Sequence, residues 1–266
     1  MKRTDRDREH FDGIADQYAG KDLVPSSRKA RRLRLEHVVA HLPLEPTWRI
    51  LEVGCGAGFA ATYLRGRYAS YTGIDHSQEL INAAVLHNSG PNVDFVATDV
   101  ADFRKGPAYD LVFLVGVLHH LENRENIMAV LGDLVRPGGF LAVNEPQPSN
   151  PFVSVARRIR AVLDRSYSDD QDEIGIDELH HLLVSAGLTE IQVIPQGLLS
   201  TPFAEVPMRP DWLMTPISGA ACFADGILEP RLKGFLKSMT WNLTGVGRRP
   251  EAGPNLNIPD PEFDLL

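Results

Sequence analysis

The chain has 266 residues, 43% of them hydrophobic and 23% charged, and its formal net charge is −8. This length and apolar content suffice for one large α/β domain, or for one domain with a cap. The negative charge does not suit the phosphate backbone of a nucleic acid, so we expect no DNA partner.

The first 44 residues are rich in charge and have a helical pattern. The opening MKRTDRDREH has no apolar h-region of the kind found in secretory signals. Residues 27–42 place apolar side chains at helical spacing, and Ser26 or Ser27 is the expected N-cap. We interpret residues 1–44 as an N-terminal helical lid.

Short apolar runs then alternate with helical patterns. Strands are predicted at 48–53, 71–74, 93–97, 110–115, 140–144, 189–194 and, last, 240–249. Helices are predicted at 59–67, 77–88, 123–136 and 177–186. This alternation predicts right-handed crossovers and an α/β fold with a Rossmann-like, doubly wound sheet. The sheet is expected to be mostly parallel with an antiparallel last strand, and its core to comprise residues 45–197 and 240–249.

An apolar, proline-rich segment, residues 198–239, separates the last two predicted strands. We interpret the segment as a cap insertion over a ligand pocket, completed by residues 8–42 and 151–170. Additional core or a homodimer interface is the alternative. The final residues, 250–266, are predicted to form an irregular tail.

The chain has no feature of a membrane-spanning or disulfide-rich protein. No apolar stretch approaches the roughly 18 residues needed to cross a bilayer. The two cysteines stand far apart without a CxxC spacing, so neither a disulfide framework nor a metal site is expected. We therefore expect a cytoplasmic protein.

The stretch ILEVGCGAG places three glycines directly after an apolar run. Gly54, Gly56 and Gly58 predict a tight turn that opens a helix, whose N-terminus favours an anionic group. A dinucleotide fingerprint needs glycine where Phe59 stands. Glu52 stands two residues before the turn, and its carboxylate suits a ligand that carries an amine better than one that carries a pyrophosphate. A ligand with an ammonium and a carboxylate fits this mixture, and the methionine end of S-adenosylmethionine has both.

At this point the sequence resembles a known family. LEVGCGAG is similar to motif I of the class I S-adenosylmethionine-dependent methyltransferases, and YTGIDHS, FVATDVADF, YDLVFLVGVLHHLEN and LVRPGGFLAVNEP match later elements of that family in order. The resemblance covers roughly residues 45 to 195. It is to the small-molecule type, as in ubiquinone and menaquinone biosynthesis.

The resemblance implies a cofactor site for S-adenosylmethionine, with S-adenosylhomocysteine as the product. Asp75 would accept hydrogen bonds from the ribose hydroxyls, although it also suits the cap of the next helix. Asp99 would accept from the adenine amino group, and Tyr18 would lie over the methionine end. The full predicted set is Tyr18, Glu52, Gly54, Cys55, Gly56, Gly58, Asp75, His76, Asp99, Val100 and Val115.

Three residues are candidates for catalysis because they follow the fourth and fifth strands, at the carboxyl edge where ligands bind. His119 and His120 lie in LHHL, where one of them could serve packing instead. Glu145 ends the fifth strand, is expected to face the acceptor side, and has a structural cap as its alternative role.

The sequence therefore predicts an enzyme that methylates a small, largely apolar acceptor, with oxygen favoured as the acceptor atom. Methyl transfer of this kind is an in-line displacement that depends mainly on alignment in a dry pocket. Three alternatives remain open: a non-catalytic S-adenosylmethionine-binding protein, an RNA methyltransferase, and a nicotinamide-dependent oxidoreductase. Phe59 argues against the last of these.

Overall fold

The computed structural model describes residues 3–103, 109–147, 174–232 and 234–251. Its helices, in chain order, are α1 Arg3–Gly13, α2 Ala15–Leu23, α3 Pro25–Val39, α4 Phe59–Tyr63, α5 Gln78–Asn88, α6 Arg124–Leu134, α7 Ile176–Ser185, α8 Thr201–Glu205 and α9 Asp211–Leu228. The strands are β1 Arg49–Val53, β2 Ser70–Asp75, β3 Val93–Ala97, β4 Tyr109–Val115, β5 Val135–Pro146, β6 Thr189–Gln196 and β7 Asn242–Arg248. Short 3₁₀ turns include Leu118–His120.

The strands form one seven-stranded sheet in the order β3-β2-β1-β4-β5-β7-β6. The pairs among β1 to β5 are parallel, whereas β7 runs antiparallel to both β5 and β6. The order reverses between β1 and β4, and the carboxyl ends of these two strands open a crevice of the kind in which α/β proteins bind ligands. The predicted Rossmann-like fold with an antiparallel last strand is confirmed.

Successive side chains of the central strands point to opposite faces of the sheet and contribute to two apolar layers. Ile50 and Leu51 of β1 belong to different clusters, as do Leu111 and Val112 of β4, because successive side chains point to opposite faces. α3 and α4 cover one face, and α6 and α7 cover the other. Burial on both faces explains why these strands appear in the sequence as nearly continuous apolar runs.

Some element boundaries differ from the predicted ones. The N-cap of α3 is Val24, so the expected caps Ser26 and Ser27 are wrong; both lie inside the helix and are buried. Pro25 begins the helix, because its fixed φ suits the first turn. α4 ends at Tyr63, before Gly66 adopts a φ of 84°, and is thus shorter than predicted.

Residues 198–239 contain α8 and α9, and both pack on α3. The tail from residue 252 and the expected enclosure at 151–170 lie outside the described residues. Within the described ranges, no helix is both long and apolar enough to cross a membrane.

Candidate functional site

Two adjoining cavities lie at the carboxyl edge of the sheet. The larger has a volume of about 410 Å³ and the smaller about 70 Å³. Tyr18, Gly54 and Val115 border both. The larger cavity extends from α1 and α2 past the ends of β2 and β4 to α6, and the smaller lies between α3 and the glycine turn.

The glycine turn after β1 lines both cavities, and other side chains pack closely against its backbone. Gly56 has a φ of 51°, a left-handed conformation that glycine adopts without a steric penalty. A Cβ at this position would lie 3.0 Å from the ring of Tyr18, so the Tyr18 side chain packs directly on the backbone of the turn. At Gly54, with a φ of 68°, a Cβ would collide with Val117. Gly58 caps α4 but does not line either cavity.

Asp75 holds this turn and the start of α5 together. Its Oδ2 accepts from the Gly56 amide at 2.9 Å, and its Oδ1 accepts from the Ser77 amide at 2.9 Å. Burial raises the pKa of Asp75 despite these two donors. A carboxylate has about four acceptor sites, so two remain for a ligand in the larger cavity.

Other polar groups line the larger cavity beyond Asp75. Asp99 uses Oδ1 to accept from the Ala101 amide at 2.8 Å, and Val100 follows it along the wall. His76 also lines the cavity, and its buried Nε2 has no hydrogen-bond partner among the described residues. A buried, unsatisfied ring nitrogen beside a cavity indicates that a ligand completes the site.

The smaller cavity brings together groups of both charge signs. Glu52 is buried and accepts from the Tyr71 hydroxyl, and burial raises the pKa of Glu52 to about 8. The same cavity is lined by Arg31, which pairs with Asp22 at 2.8 Å, and by Arg34. The position of Glu52 next to these guanidinium groups suits a ligand that carries both an ammonium and a carboxylate.

Two of the three guanidinium nitrogens of Arg34 donate hydrogen bonds to neighbouring side chains. Its Nε donates to Asn144 Oδ1 at 2.7 Å, and its Nη1 donates to Glu205 Oε1 at 2.9 Å. Its buried Nη2 has no hydrogen-bond partner among the described residues. The guanidinium is therefore fixed in position with a donor that a ligand can use.

His120 lines the larger cavity, and α1 packs against it. The Phe11 ring meets the His120 ring edge to face at 5.6 Å between centroids, and Asp7 Oδ2 lies 3.8 Å from His120 Nδ1. Phe11 also contacts Tyr18 and His76. Phe11 of α1 thus packs beside two imidazole rings and the Tyr18 ring, and all four side chains line the larger cavity.

His119 and Glu145 form a buried pair away from the cavities. Glu145 Oε1 accepts from the Val117 and Leu118 amides at 2.9 and 2.8 Å, and Oε2 lies 2.6 Å from His119 Nδ1. Glu145 is fully buried and lines neither cavity, so the expectation that it faces the acceptor side is wrong. The geometry favours a positioning role for the pair in the loop that carries His120; a catalytic role for either residue stays a prediction.

Glu145→Gln is expected to lower the free energy of unfolding by about 1–3 kcal/mol, because it replaces one oxygen of a buried, fully hydrogen-bonded carboxylate by an amide nitrogen. Burial acts to raise the pKa of Glu145, but the His119 charge and hydrogen bond and the two amides outweigh it and lower the pKa. Its stabilisation is therefore present above the unfolded-state pKa and is lost as the pH falls through the folded-state value. Urea titrations at neutral and acid pH measure both effects.

A matched control for this prediction lies on the surface. Glu125 is 69% exposed and lies 3.5 Å from His181, so it is also a glutamate beside a histidine. Glu125→Gln is expected to change stability by less than about 0.5 kcal/mol. Equal effects of the two substitutions would contradict the positioning role of Glu145.

The structure brings together most of the residues predicted for the cofactor. All of them except Gly58 line one of the two cavities, with Cys55 a small buried residue of the turn. The predicted set does not include Asp22, Arg31 and Arg34, which line the smaller cavity. No local signal marks the two arginines, because Arg31 and Arg34 stand in a run that also contains the exposed Arg28 and Arg32. Within the described residues, no cluster of three or more His, Cys, Asp or Glu side chains forms a metal site.

Comparisons with known proteins agree with this geometry. A family model described as a methyltransferase domain matches residues 51–143, from β1 to the middle of β5. The chain is 31% identical over 181 residues to the ubiquinone biosynthesis O-methyltransferase of Burkholderia thailandensis, covering 65% of this chain and 77% of that relative.

Solved structures show the same fold at lower identity. An S-adenosylmethionine-dependent methyltransferase of Thermotoga maritima aligns with a TM-score of 0.64 at 18% identity, over 91% of this chain and 99% of that one. The [4+2]-cyclase SpnF aligns with a TM-score of 0.55 at 18% identity, over 82% of this chain and 80% of that one.

Proposed function

We propose that this chain, which belongs to the class I S-adenosylmethionine-dependent methyltransferases, methylates a hydroxyl oxygen of a small, largely apolar acceptor. One observation carries the proposal: the glycine turn and Asp75, which suit the cofactor, line the same cavity as His120, which suits a general base. The relative that is named an O-methyltransferase supports oxygen as the acceptor atom.

The residues present fit S-adenosylmethionine at both ends. Asp75 and Asp99 would hold the ribose and adenine groups from the larger cavity. Glu52, with Arg31 and Arg34, would hold the ammonium and carboxylate from the smaller one, since charges of opposite sign line its walls. The unsatisfied nitrogens of His76 and Arg34 add independent support, because a ligand would satisfy both.

The bound cofactor supplies a methyl carbon that the neighbouring sulfonium already activates. The task left to the protein is to orient the acceptor hydroxyl, exclude water and accept a proton. Phe11 and Tyr18 place α1 and α2 over the cavity, which supports the proposal that residues 1–44 act as a lid. Alignment of this kind lowers a barrier by roughly 7–11 kcal/mol.

His120 is proposed to take the hydroxyl proton. Asp7 faces Nδ1 of its ring from α1 and would favour the protonated imidazole that results. General-base catalysis of this type contributes about 10²–10⁴ in rate. Val115, Val117 and Leu121 form an apolar wall beside His120, which suits an apolar acceptor.

The role of residues 198–239 as a cap over the acceptor stays a prediction. In the described part of the chain these residues pack on α3, and the walls of the two cavities come from other segments. Glu205 connects the segment to the smaller cavity through its ion pair with Arg34.

Calorimetric titration with S-adenosylhomocysteine, and with NADH in parallel, tests the cofactor. We expect micromolar affinity for the former alone; binding of NADH instead would favour the oxidoreductase alternative. Transfer of a labelled methyl group to a panel of phenols and catechols then tests the reaction. Cofactor binding without transfer to any hydroxyl acceptor would favour a non-catalytic role. A different reaction is the other possibility in that case, because the similar structure of SpnF is named a [4+2]-cyclase.

Glu52 predicts a pH dependence of cofactor binding. Its pKa of about 8 means that the carboxyl group is mostly protonated at neutral pH, whereas a bound ammonium favours the carboxylate. The dissociation constant of S-adenosylhomocysteine is therefore expected to fall as the pH rises from 6.5 to 8, by up to about tenfold per pH unit.

Calorimetry in phosphate and in Tris would detect the accompanying release of a proton at pH 7. Glu52→Gln serves as the control, because it keeps a hydrogen-bonding partner for Tyr71 but cannot ionise. The variant is expected to bind with a flat pH profile. A wild-type profile that is equally flat would contradict the proposed contact with the ammonium.

A further inference from the structure

We propose that the outward face of α9 docks on an anionic lipid surface, which makes this protein a peripheral membrane protein. The inference is independent of the catalytic proposal. It rests on how α9 distributes apolar and charged side chains between its two faces.

The solvent side of α9 is apolar along its whole length. Trp212 is 77% exposed and Phe223 is 73% exposed, and both lie on one face of the helix. Other exposed members of this face are Leu213, Pro216, Ile217, Ala220, Ile227 and Leu228. A contiguous apolar patch of this kind marks an interaction site rather than an ordinary solvated surface.

The inner side of α9 is polar at its centre and fixes the rotation of the helix. Ser218 is fully buried and donates to the Ser26 carbonyl at 2.7 Å. Asp225 is fully buried and accepts from the Leu199 and Ser200 amides and from the Ser200 hydroxyl. These contacts hold the apolar face outward, because turning it inward would leave a buried carboxylate without its donors.

Charge around the patch favours an anionic partner. Asp211 and Asp225 are the acidic residues of α9, and the first is paired with Arg209 while the second is buried. Cations border the patch: Lys29 of α3 lies against Gly219, and Arg231 follows the C-terminal end of α9, where it donates to the Ile227 carbonyl. In a chain of net charge −8, this local excess of exposed cations complements anionic headgroups.

A second copy of the chain is a poorer occupant. In a twofold contact centred on this face, the Lys29 side chains of both copies would approach each other, because Lys29 lies beside Gly219 near the midpoint of α9, and like charges repel. An apolar helix face with two aromatic side chains and cations at its border instead matches the boundary between headgroups and acyl chains.

Vesicle sedimentation of the full chain tests the proposal, with phosphatidylcholine alone and with phosphatidylcholine containing 30% phosphatidylglycerol. We expect binding to the anionic vesicles, weakened by salt, and a blue shift of tryptophan emission from Trp212. The double variant Trp212→Ser, Phe223→Ser is expected to lower the partition coefficient by about tenfold or more. Lys29→Glu is expected to lower it by a similar factor.

Two matched controls distinguish docking from a general loss of apolar surface or charge. Leu86 of α5 is as exposed as Trp212, so Leu86→Ser removes an apolar side chain elsewhere. Arg65→Glu reverses an exposed charge in the turn after α4. Both controls are expected to bind vesicles as the wild type does, and circular dichroism checks that every variant is folded.

Three outcomes would overturn the proposal. The first is no binding to anionic vesicles by the folded wild type, and the second is equal binding to neutral vesicles. The third is a stable dimer in light scattering that the Trp212→Ser, Phe223→Ser variant dissociates, which would identify a second copy as the occupant. Since cofactor titration does not involve this surface, failure here leaves the proposed methyl transfer untouched.

Discussion

Replacing Asp75 with alanine is expected to weaken S-adenosylhomocysteine binding by about 10²–10⁴-fold. The carboxylate has two free acceptor sites towards the larger cavity, and each hydrogen bond from a ribose hydroxyl to a charged acceptor contributes about 1.5–3 kcal/mol. Two such bonds give about 3–6 kcal/mol, and each 1.4 kcal/mol is a factor of ten in affinity. Calorimetric titration measures the loss.

The control must separate ligand contact from collapse of the turn, because Asp75 also accepts from the Gly56 and Ser77 amides. Asp75→Asn keeps one carbonyl acceptor and is expected to bind with intermediate affinity. Asp94→Ala removes an exposed aspartate from neighbouring β3 and is expected to bind as the wild type does. If Asp75→Ala stayed folded and bound within threefold of the wild type, the assignment of the ribose site to Asp75 would be wrong.

The sheet was predictable because its signals are local and periodic. β1 and β4 are buried on both faces, and their apolar runs are visible without knowledge of their neighbours. The glycine turn was equally predictable, since three glycines in five positions directly after a strand have few explanations other than a close backbone approach. The parallel order then follows from the helices that separate the strands.

The polar interior of the site was harder to predict because it depends on tertiary packing. Arg31 and Arg34 belong to the run RKARRLR, and nothing local distinguishes them from the exposed Arg28 and Arg32. Their burial arises only when α3 docks on the glycine turn and α8 docks on α3. Sequence patterning assigns long cationic side chains to solvent by default.

Glu145 is a residue whose position was predicted correctly from the sequence but whose contacts were not. Its position at the end of β5 places it at the correct edge of the sheet, but position along a strand does not determine which partner reaches the carboxylate first. The Val117 and Leu118 amides and His119 occupy both of its oxygens. The adjacent histidines of LHHL then divide two roles, one turned to the buried pair and the other to the cavity.

His120→Gln is expected to lower kcat by about 10²–10⁴-fold while the dissociation constant of S-adenosylhomocysteine changes by less than about threefold. Glutamine keeps a polar side chain of similar reach but cannot take a proton. The wild-type rate is expected to fall at acid pH as the imidazole becomes protonated, and the variant is expected to lose that limb of the profile. Single-turnover methyl transfer to a phenol or catechol acceptor, measured against pH, provides the readout.

Comparison with Asp7→Asn tests how His120 is oriented. Asp7 lies beside His120 Nδ1 rather than in the cavity wall, so its loss is expected to lower kcat less than the loss of the imidazole does, and to shift the acid limb to lower pH. A His120→Gln enzyme with unchanged kcat and cofactor affinity would mean that the acceptor reaches the site already ionised. Catalysis would then rest on alignment in the cavity alone, which supplies most of the barrier reduction in either case.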